Sequence, residues 1–236
     1  MQIASTSNAP VITGISSMAT RQVLAQLVAD FEQRSGTRVH IESVGGVDAA
    51  KRVQAGEPFD VVILASDAID KLIAAGRIVA GSKVDLVLSG VSVAVRAGAT
   101  HPDLSSEDAV RAAVLAARSI SYSTGPSGVA LVKLFERWGI AEQIQSRIVQ
   151  APAGVPVGSL VARGEVELGF QQLSELIHLE GIDVVGPLPA AIQIITTFSA
   201  GVCTGSAQAA TVRAMLDFMQ SPLADAAKRA QGMEPA

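Results

Sequence analysis

The sequence predicts an α/β protein with two lobes, and three features support this prediction. Short apolar strands alternate with amphipathic helices from residue 10 onward, as in sheets that helices cover on both faces. Apolar residues make up 49% of the chain and aromatic residues only 3%, so Ala, Val, Ile and Leu must form the core. Two long apolar segments, 89–97 and 193–203, have no tight turn back and can connect two lobes.

The first third of the chain predicts a βαβαβα unit. Strands are expected at 10–15, 38–43 and 59–65, and helices at 17–35, 47–55 and 67–75. Gly36, Gly56 and Gly76 stand where these helices should end. The pattern indicates a parallel sheet with right-handed crossovers, and such sheets bind ligands at the carboxyl ends of their strands.

The rest of the chain predicts a second α/β unit and a return to the first. Strands are expected at 119–123, 166–170 and 182–185, and helices at 106–117, 126–138, 141–146, 156–163, 171–179, 206–219 and 222–231. The two long segments then divide the chain between the lobes. Lobe one is discontinuous, with residues 1–88 and 200–236, and lobe two is residues 89–199.

Composition argues against several classes of partner. The net charge is −4, and no basic cluster is interleaved with aromatic residues, which argues against nucleic acid. The longest apolar runs are too short to insert into a membrane. The single cysteine, Cys203, excludes an internal disulfide. The chain has no metal-ligand cluster, no P-loop and no Gly-x-Ser-x-Gly motif, so we expect neither a metal nor a cofactor.

Three loops of small residues each precede a predicted helix. They are Thr-Gly-Ile-Ser-Ser-Met at 13–18, Ser-Val-Gly-Gly-Val-Asp at 43–48 and Tyr-Ser-Thr-Gly-Pro-Ser-Gly at 122–128. Unpaired N–H groups and the positive end of the helix dipole bind anions at such positions. Any one of these loops is also typical of ordinary helix capping. If all three meet in one cleft, they predict a site for a small anionic ligand.

Charged residues near these loops are few. Arg21 lies one turn into the first helix, and Lys51 and Arg52 lie one turn into the second. Each could reach a ligand carboxylate, although residues at such positions are more often solvated helix charges.

Several segments resemble the molybdate-type solute-binding proteins. Residues 54–61, Gln-Ala-Gly-Glu-Pro-Phe-Asp-Val, are similar to the family's Ala-Gly-x-Pro-Ala-Asp segment, and 65–67 are similar to its Ser-Ala-Asp. Pro-Ser-Gly at 126–128 resembles its Pro-Ala-Gly helix start. The resemblance extends to 31–36 and 184–189 and so covers nearly the whole chain. It implies a type 2 periplasmic-binding-protein fold with a ligand held between two lobes.

The resemblance also implies a set of ligand-binding residues. The family's first serine corresponds to Ser16 or Ser17, and its second serine is replaced within Gly45-Gly46-Val47. Gln172 replaces the tyrosine that often closes the site, which leaves a ligand with planar carboxylates better matched than a compact tetrahedral ion. The residues implied are Ser16, Ser17, Gly45, Gly46, Ser127, Gly128, Val157 and Gln172.

Two functions follow from the resemblance. The first is a receptor that binds a small oxyanion or a di- or tricarboxylate and presents it to an ABC transporter in the membrane. The second follows from the aconitate isomerases, which resemble the same family and catalyse a cofactor-free proton shift between carbons next to carboxylates. Such an enzyme needs a general base, for which His40, Glu42, Asp48 and Glu175 are nominal candidates. A third hypothesis, a cytosolic anion sensor, has no motif behind it.

The N-terminus bears on this choice. Residues 1–10 contain neither Lys nor Arg, and they have no apolar stretch typical of a signal peptide. We expect a periplasmic protein if a leader precedes Met1 in the natural gene product, and a cytoplasmic one if Met1 is the natural start.

Overall fold

The computed structural model describes residues 11–152 and 154–236, and within them strands and helices alternate. The strands are β1 (Val11–Ser17), β2 (Arg38–Val44), β3 (Val61–Ala65), β4 (Val84–Arg96), β5 (Ile120–Tyr122), β6 (Leu168–Gln172), β7 (Ile182–Pro187), β8 (Ile195–Val202) and β9 (Met233–Pro235). The α-helices are α1 (Arg21–Ser35), α2 (Gly46–Gln54), α3 (Ser66–Ala74), α4 (Glu107–Ala116), α5 (Pro126–Arg137), α6 (Ala141–Ile144), α7 (Val157–Ala162), α8 (Leu173–Leu176), α9 (Ala209–Gln220) and α10 (Asp225–Ala230). This is the α/β fold that the sequence predicts.

The strands follow the order β2-β1-β3-β8-β4-β6-β5, and β7 and β9 also pair with β4. β1 is parallel to both β2 and β3, as the opening βαβαβα pattern predicts. β8 runs antiparallel to β3 and to β4. The strands of the second unit, β5 and β6, are again parallel to each other.

β4 is shared between the two parts of the sheet. Its first half pairs with β8 from Val84 to Gly90, and its second half pairs with β6 from Val91 to Ala94. The sequence predicts this strand only from residue 89, because its early part is less regular. The register shifts between Asp85 and Val87, and this irregularity breaks the simple apolar pattern.

Each lobe buries its own apolar clusters on the two faces of its sheet. In β3, Val61 and Ile63 join one cluster of lobe one, whereas Val62 and Leu64 join the cluster on the opposite face. A strand buried on both faces is the expected signature of a sheet between two helix layers. In lobe two, Phe170 lies in a large aromatic-containing cluster, and a smaller cluster forms around α7. The two-lobed fold is therefore confirmed, and the residues at which the lobes divide stay a prediction.

Three local predictions differ from the structure. The helix predicted at 171–179 is only Leu173–Leu176, because Gln171 and Gln172 pair with β4 as the end of β6. β9 was not predicted, since three residues carry too little pattern, although Met233 is buried. The strand predicted at 10–15 is β1, which continues to Ser17, where the sequence predicts the start of a helix. Pro10 lies outside the described residues. Over the described residues, no helix is both long and apolar enough to cross a membrane.

Candidate functional site

A cavity of about 300 Å³ lies where the three predicted loops meet. The segments that follow β1 and β2 contribute Ser17, Met18 and residues 45–48 to its lining, together with Lys51 of α2. The segment that follows β5 contributes residues 123–125. Further lining comes from Pro152, residues 154–156, Gln171 and Glu175. The prediction that the loops share one cleft is therefore matched by their position in the fold.

The N-cap residues of α2 and α5 both line this cavity. α2 begins at Gly46 after the N-cap Gly45, and α5 begins at Pro126 after the N-cap Gly125. Neither N-cap side chain bonds to the helix, since both are glycine. The N–H groups of the first turn are thus left for a ligand, at the positive end of each helix dipole.

Ser17 joins the first loop to the second. Its hydroxyl accepts a hydrogen bond from the backbone N–H of Ala19 at 3.3 Å and so caps the 3₁₀ turn Met18–Thr20 before α1. A side-chain carbon added to Gly46 would lie 3.6 Å from the Ser17 hydroxyl, which shows how closely the two loops approach.

Of the eight residues implied by the resemblance, Ser17, Gly45 and Gly46 line the cavity. Ser16 is fully buried instead, and its hydroxyl lies 2.8 Å from that of Ser43. That contact joins β1 to β2. Of the two serines that the sequence left open, Ser17 is therefore the one at the cavity.

Ser127 and Gly128 lie just behind the cavity lining, within α5. The Ser127 side chain is buried, and its hydroxyl is 3.5 Å from that of Ser123. A side-chain carbon at Gly128 would meet the Ser123 carbonyl oxygen at 1.8 Å, so this position accepts only glycine without movement of the loop. The preceding residues of the loop line the cavity instead, namely Ser123, Thr124 and Gly125.

Val157 and Gln172 also lie outside the cavity lining. The Val157 N–H donates to the Gln171 side-chain oxygen at 2.8 Å, so this donor is already used inside the protein. The Gln172 amide donates to the Thr196 hydroxyl at 3.0 Å, which links the end of β6 to β8. Its neighbour Gln171 reaches the cavity, because adjacent residues of a strand face opposite ways.

Glu175 lines the cavity, and from the sequence alone it is only one of four nominal candidates for a general base. The Gln171 amide donates to its Oε2 at 2.7 Å. Burial raises the pKa of the Glu175 carboxyl from the ordinary value of 4.5 to about 7, and the hydrogen bond from Gln171 opposes this shift. A carboxyl group with such a pKa is present in both protonated and ionised forms near neutral pH.

The other charged candidates divide into two groups. Asp48 and Lys51 line the cavity, and both are exposed. His40, Glu42, Arg21 and Arg52 lie outside its lining. Arg52 holds both oxygens of Glu42 at 2.9 Å, so this pair forms a surface ion pair on the outer side of α2.

Residues 12–234 match the family model described as bacterial extracellular solute-binding protein. The chain belongs to this family. The match runs from β1 into β9, so the model of the solute-binding protein family covers the whole sheet.

Two curated relatives of this solute-binding protein carry different activities in their names. An aconitate isomerase from Pseudomonas sp. is 36% identical over 230 residues, which cover 95% of this chain and 87% of the relative. The molybdate-binding protein ModA of Azotobacter vinelandii is 27% identical over 217 residues, which cover 89% and 84% of the two chains. The resemblance to molybdate-type proteins and aconitate isomerases is therefore confirmed.

Solved structures confirm the fold. The periplasmic molybdate-binding protein of Azotobacter vinelandii superimposes with a TM-score of 0.79 at 24% identity and covers 95% of this chain and 99% of its own. The sulfate-binding protein SubI of Mycobacterium tuberculosis H37Rv gives 0.77 at 17% identity, with coverage of 96% and 87%. At these identities the likeness shows a shared architecture.

Proposed function

We propose that this solute-binding protein holds a small di- or tricarboxylate in the cleft between its lobes. The observation that carries the proposal is that the glycine N-caps of two helices, Gly45 of α2 and Gly125 of α5, line one cavity and leave both helix starts without a side-chain cap. Their N–H groups and dipoles favour negative charge, and the Lys51 ammonium group adds a positive charge to the same wall.

The size and polarity of the cavity favour a carboxylate with several polar groups. Its volume of about 300 Å³ lies at the lower end of the roughly 300–1,000 Å³ typical of small-molecule pockets. The hydroxyls of Ser17, Ser123 and Thr124 and the amide of Gln171 can each donate or accept a hydrogen bond. A polycarboxylate can use more of these groups than a tetrahedral oxyanion can.

Contacts between the lobes support a clamp around the ligand. The Ser174 hydroxyl of α8 donates to the Ala19 carbonyl at 2.9 Å, and the His178 ring lies 2.7 Å from the Gln231 side chain. These contacts join the proposed lobe two, 89–199, to the proposed lobe one, 1–88 with 200–236. The family suggests that the loaded protein then delivers its ligand to an ABC transporter in the membrane.

Thermal unfolding tests the ligand class. We expect citrate or aconitate to raise the melting temperature more than molybdate or sulfate does, because planar carboxylates match the available donors. A ligand at about 100 times its Kd should add roughly 2.7 kcal/mol of stability. Stabilisation by molybdate alone would contradict the proposed ligand class and favour an oxyanion receptor.

Replacement of Lys51 tests the electrostatic part of the site. We expect Lys51→Gln to weaken carboxylate binding about 3- to 10-fold, because the exposed ammonium group contributes roughly 1 kcal/mol to a charged contact. Calorimetric titration at low and high salt measures the loss, which should shrink as salt screens the charge. Lys71→Gln on α3 is the matched control, since Lys71 pairs with Asp67 outside the cavity. Equal losses in the two variants would mean a general charge effect.

A second candidate function is isomerisation of an unsaturated tricarboxylate. The observation that favours it is Glu175, a carboxyl group with a pKa of about 7 in the wall of the proposed anion site. The relative named aconitate isomerase, at 36% identity, adds support. Incubation of the protein with cis-aconitate, followed by chromatographic separation of the cis and trans isomers, decides between turnover and binding alone.

A further inference from the structure

We propose that Glu175 is the proton-transfer group of this cleft, which takes a proton from one carbon of a bound polycarboxylate and returns it to another. The inference rests on the second candidate function and assigns its chemistry to one residue. Asp48 is the other carboxyl group on the cavity wall, and it is exposed on the first turn of α2.

The sheet fixes the position of Glu175. It lies on α8, which directly follows the last residue of β6, so its backbone is fixed at the carboxyl end of a buried strand. Gln171 orients the side chain by donating to Oε2 at 2.7 Å, and Gln171 is itself fixed by the Val157 N–H at 2.8 Å. Within the described residues no hydrogen bond engages Oε1 of Glu175, so this oxygen can face a ligand.

The charges around Glu175 suit a group that gains and loses a proton. Asp48 and Lys51 of α2 share the cavity wall with it. β6 and the turn Met18–Thr20, which both pack against α8, carry no charged side chain. β4 packs there too, and its charges, Asp85 and Arg96, lie near its two ends. Burial raises the pKa of Glu175 to about 7, where a general base is most effective at neutral pH.

The proposed reaction moves one proton and one double bond. The ionised Glu175 takes a proton from a carbon that is next to both a carboxylate and a C=C bond, so that the C–H bond breaks. The electron pair of that C–H bond delocalises over the three allylic carbons and into the adjacent carboxylate. The protonated Glu175 then gives the proton to the carbon at the other end of the allylic system. The double bond has moved, Glu175 is ionised again, and no oxidant or reductant is consumed.

The same cavity can stabilise the charge that develops in this step. Negative charge accumulates on a carboxylate of the ligand when the C–H bond breaks. The start of α2, the N-cap residue Gly125 of α5 and Lys51 all line the cavity, so backbone donors and an ammonium group are available to this developing charge. Preorganised donors of this kind stabilise a transition state without rearranging during the reaction.

The experiment compares the intact protein with Glu175→Gln, Glu175→Asp and the control Glu180→Gln, which alters an exposed carboxyl group further along the same segment. Proton NMR in D₂O with cis-aconitate follows the formation of trans-aconitate and the entry of deuterium. We expect Glu175→Gln to lower both rates by roughly 10²- to 10⁴-fold. Glu175→Asp should recover part of the rate, and Glu180→Gln should behave as the unaltered protein.

Calorimetric titration of cis-aconitate separates this inference from the binding function. Loss of turnover in Glu175→Gln with a Kd equal to or below that of the unaltered protein supports the inference. Turnover within about threefold of the unaltered protein overturns it, and so does an unaltered protein that binds aconitate without isomerising it or exchanging its protons. An unaltered protein that binds aconitate without isomerising it would still support the proposed carboxylate-binding function. Failure of the unaltered protein to bind any carboxylate overturns both proposals.

Discussion

Glu175→Gln should stabilise the folded protein by up to about 3 kcal/mol near pH 8, while it abolishes the proposed proton transfer. Burial raises the pKa of this carboxyl from 4.5 to about 7, so ionising it costs more in the folded state than in the unfolded state. Each pKa unit of difference corresponds to about 1.4 kcal/mol. Glutamine keeps the size of the side chain and carries no charge.

The pH dependence of this effect has a defined sign. The folded state binds the Glu175 proton more tightly than the unfolded state does, so protonation stabilises the fold at low pH. Stability is lost as pH rises from about 4.5 to about 7, and the loss levels off above the folded pKa. The gain from Glu175→Gln should therefore fall below about 1 kcal/mol at pH 5.

Urea unfolding at about pH 5 and about pH 8 measures both effects. In a chain of this length, 3 kcal/mol corresponds to a rise in melting temperature of roughly 6–12 °C at the higher pH. Glu180→Gln is again the control and should change little at either pH. An equal gain at both pH values would show that the effect does not come from ionisation of Glu175. Destabilisation at pH 8 would show that the carboxylate is stabilised by contacts that the structure does not contain.

Gly128→Ala should destabilise the protein by roughly 3 kcal/mol and displace the loop at 123–125. The added carbon would lie 1.8 Å from the Ser123 carbonyl oxygen and 2.9 Å from its carbonyl carbon. Both atoms belong to the backbone, so the loop or the start of α5 must move. Overpacking of this kind typically costs about 1–3 kcal/mol, and a backbone clash belongs at the upper end.

Gly125→Ala is the matched control in the same loop. Gly125 has an ordinary φ of −77°, and an added carbon would lie 3.6 Å from the Ser123 hydroxyl, which is normal contact. Urea unfolding should therefore separate the two variants by roughly 2 kcal/mol or more. Carboxylate binding should also fall in Gly128→Ala, since residues 123–125 line the cavity. Similar stability of the two variants would mean that the loop adapts freely.

The sequence was sufficient to predict the alternation of strands and helices and the loops that meet at the cavity. These predictions depend on local signals, namely apolar periodicity and the small residues before α2 and α5. At the end of β6 the resemblance implies Gln172 as a ligand-binding residue, whereas Gln171 is the one that lines the cavity. Moving by one residue along a strand exchanges its two faces, so a small alignment error changes which side chain is presented.

The properties of Glu175 depend on tertiary packing and could not be predicted from its neighbours in the sequence. Its pKa is set by burial, and β4, β6 and the turn Met18–Thr20, which pack against α8, come from distant parts of the sequence. The choice between Ser16 and Ser17 is similar. It depends on the pairing of β1 with β2, which directs Ser16 toward Ser43.

The continuity of β4 has a consequence for how the molecule folds. Val84–Gly90 and Val91–Ala94 are parts of one strand, and each part supplies hydrogen bonds to a different lobe. If one lobe unfolds, its half of β4 loses its partner strands. The other half is continuous with it and therefore loses order where the two halves meet. β8 pairs with β3 and with Val84–Gly90, so it fixes the first part of β4 in the sheet of the first α/β unit. The two lobes should therefore lose their structure together, as one cooperative unit, although each has its own buried clusters.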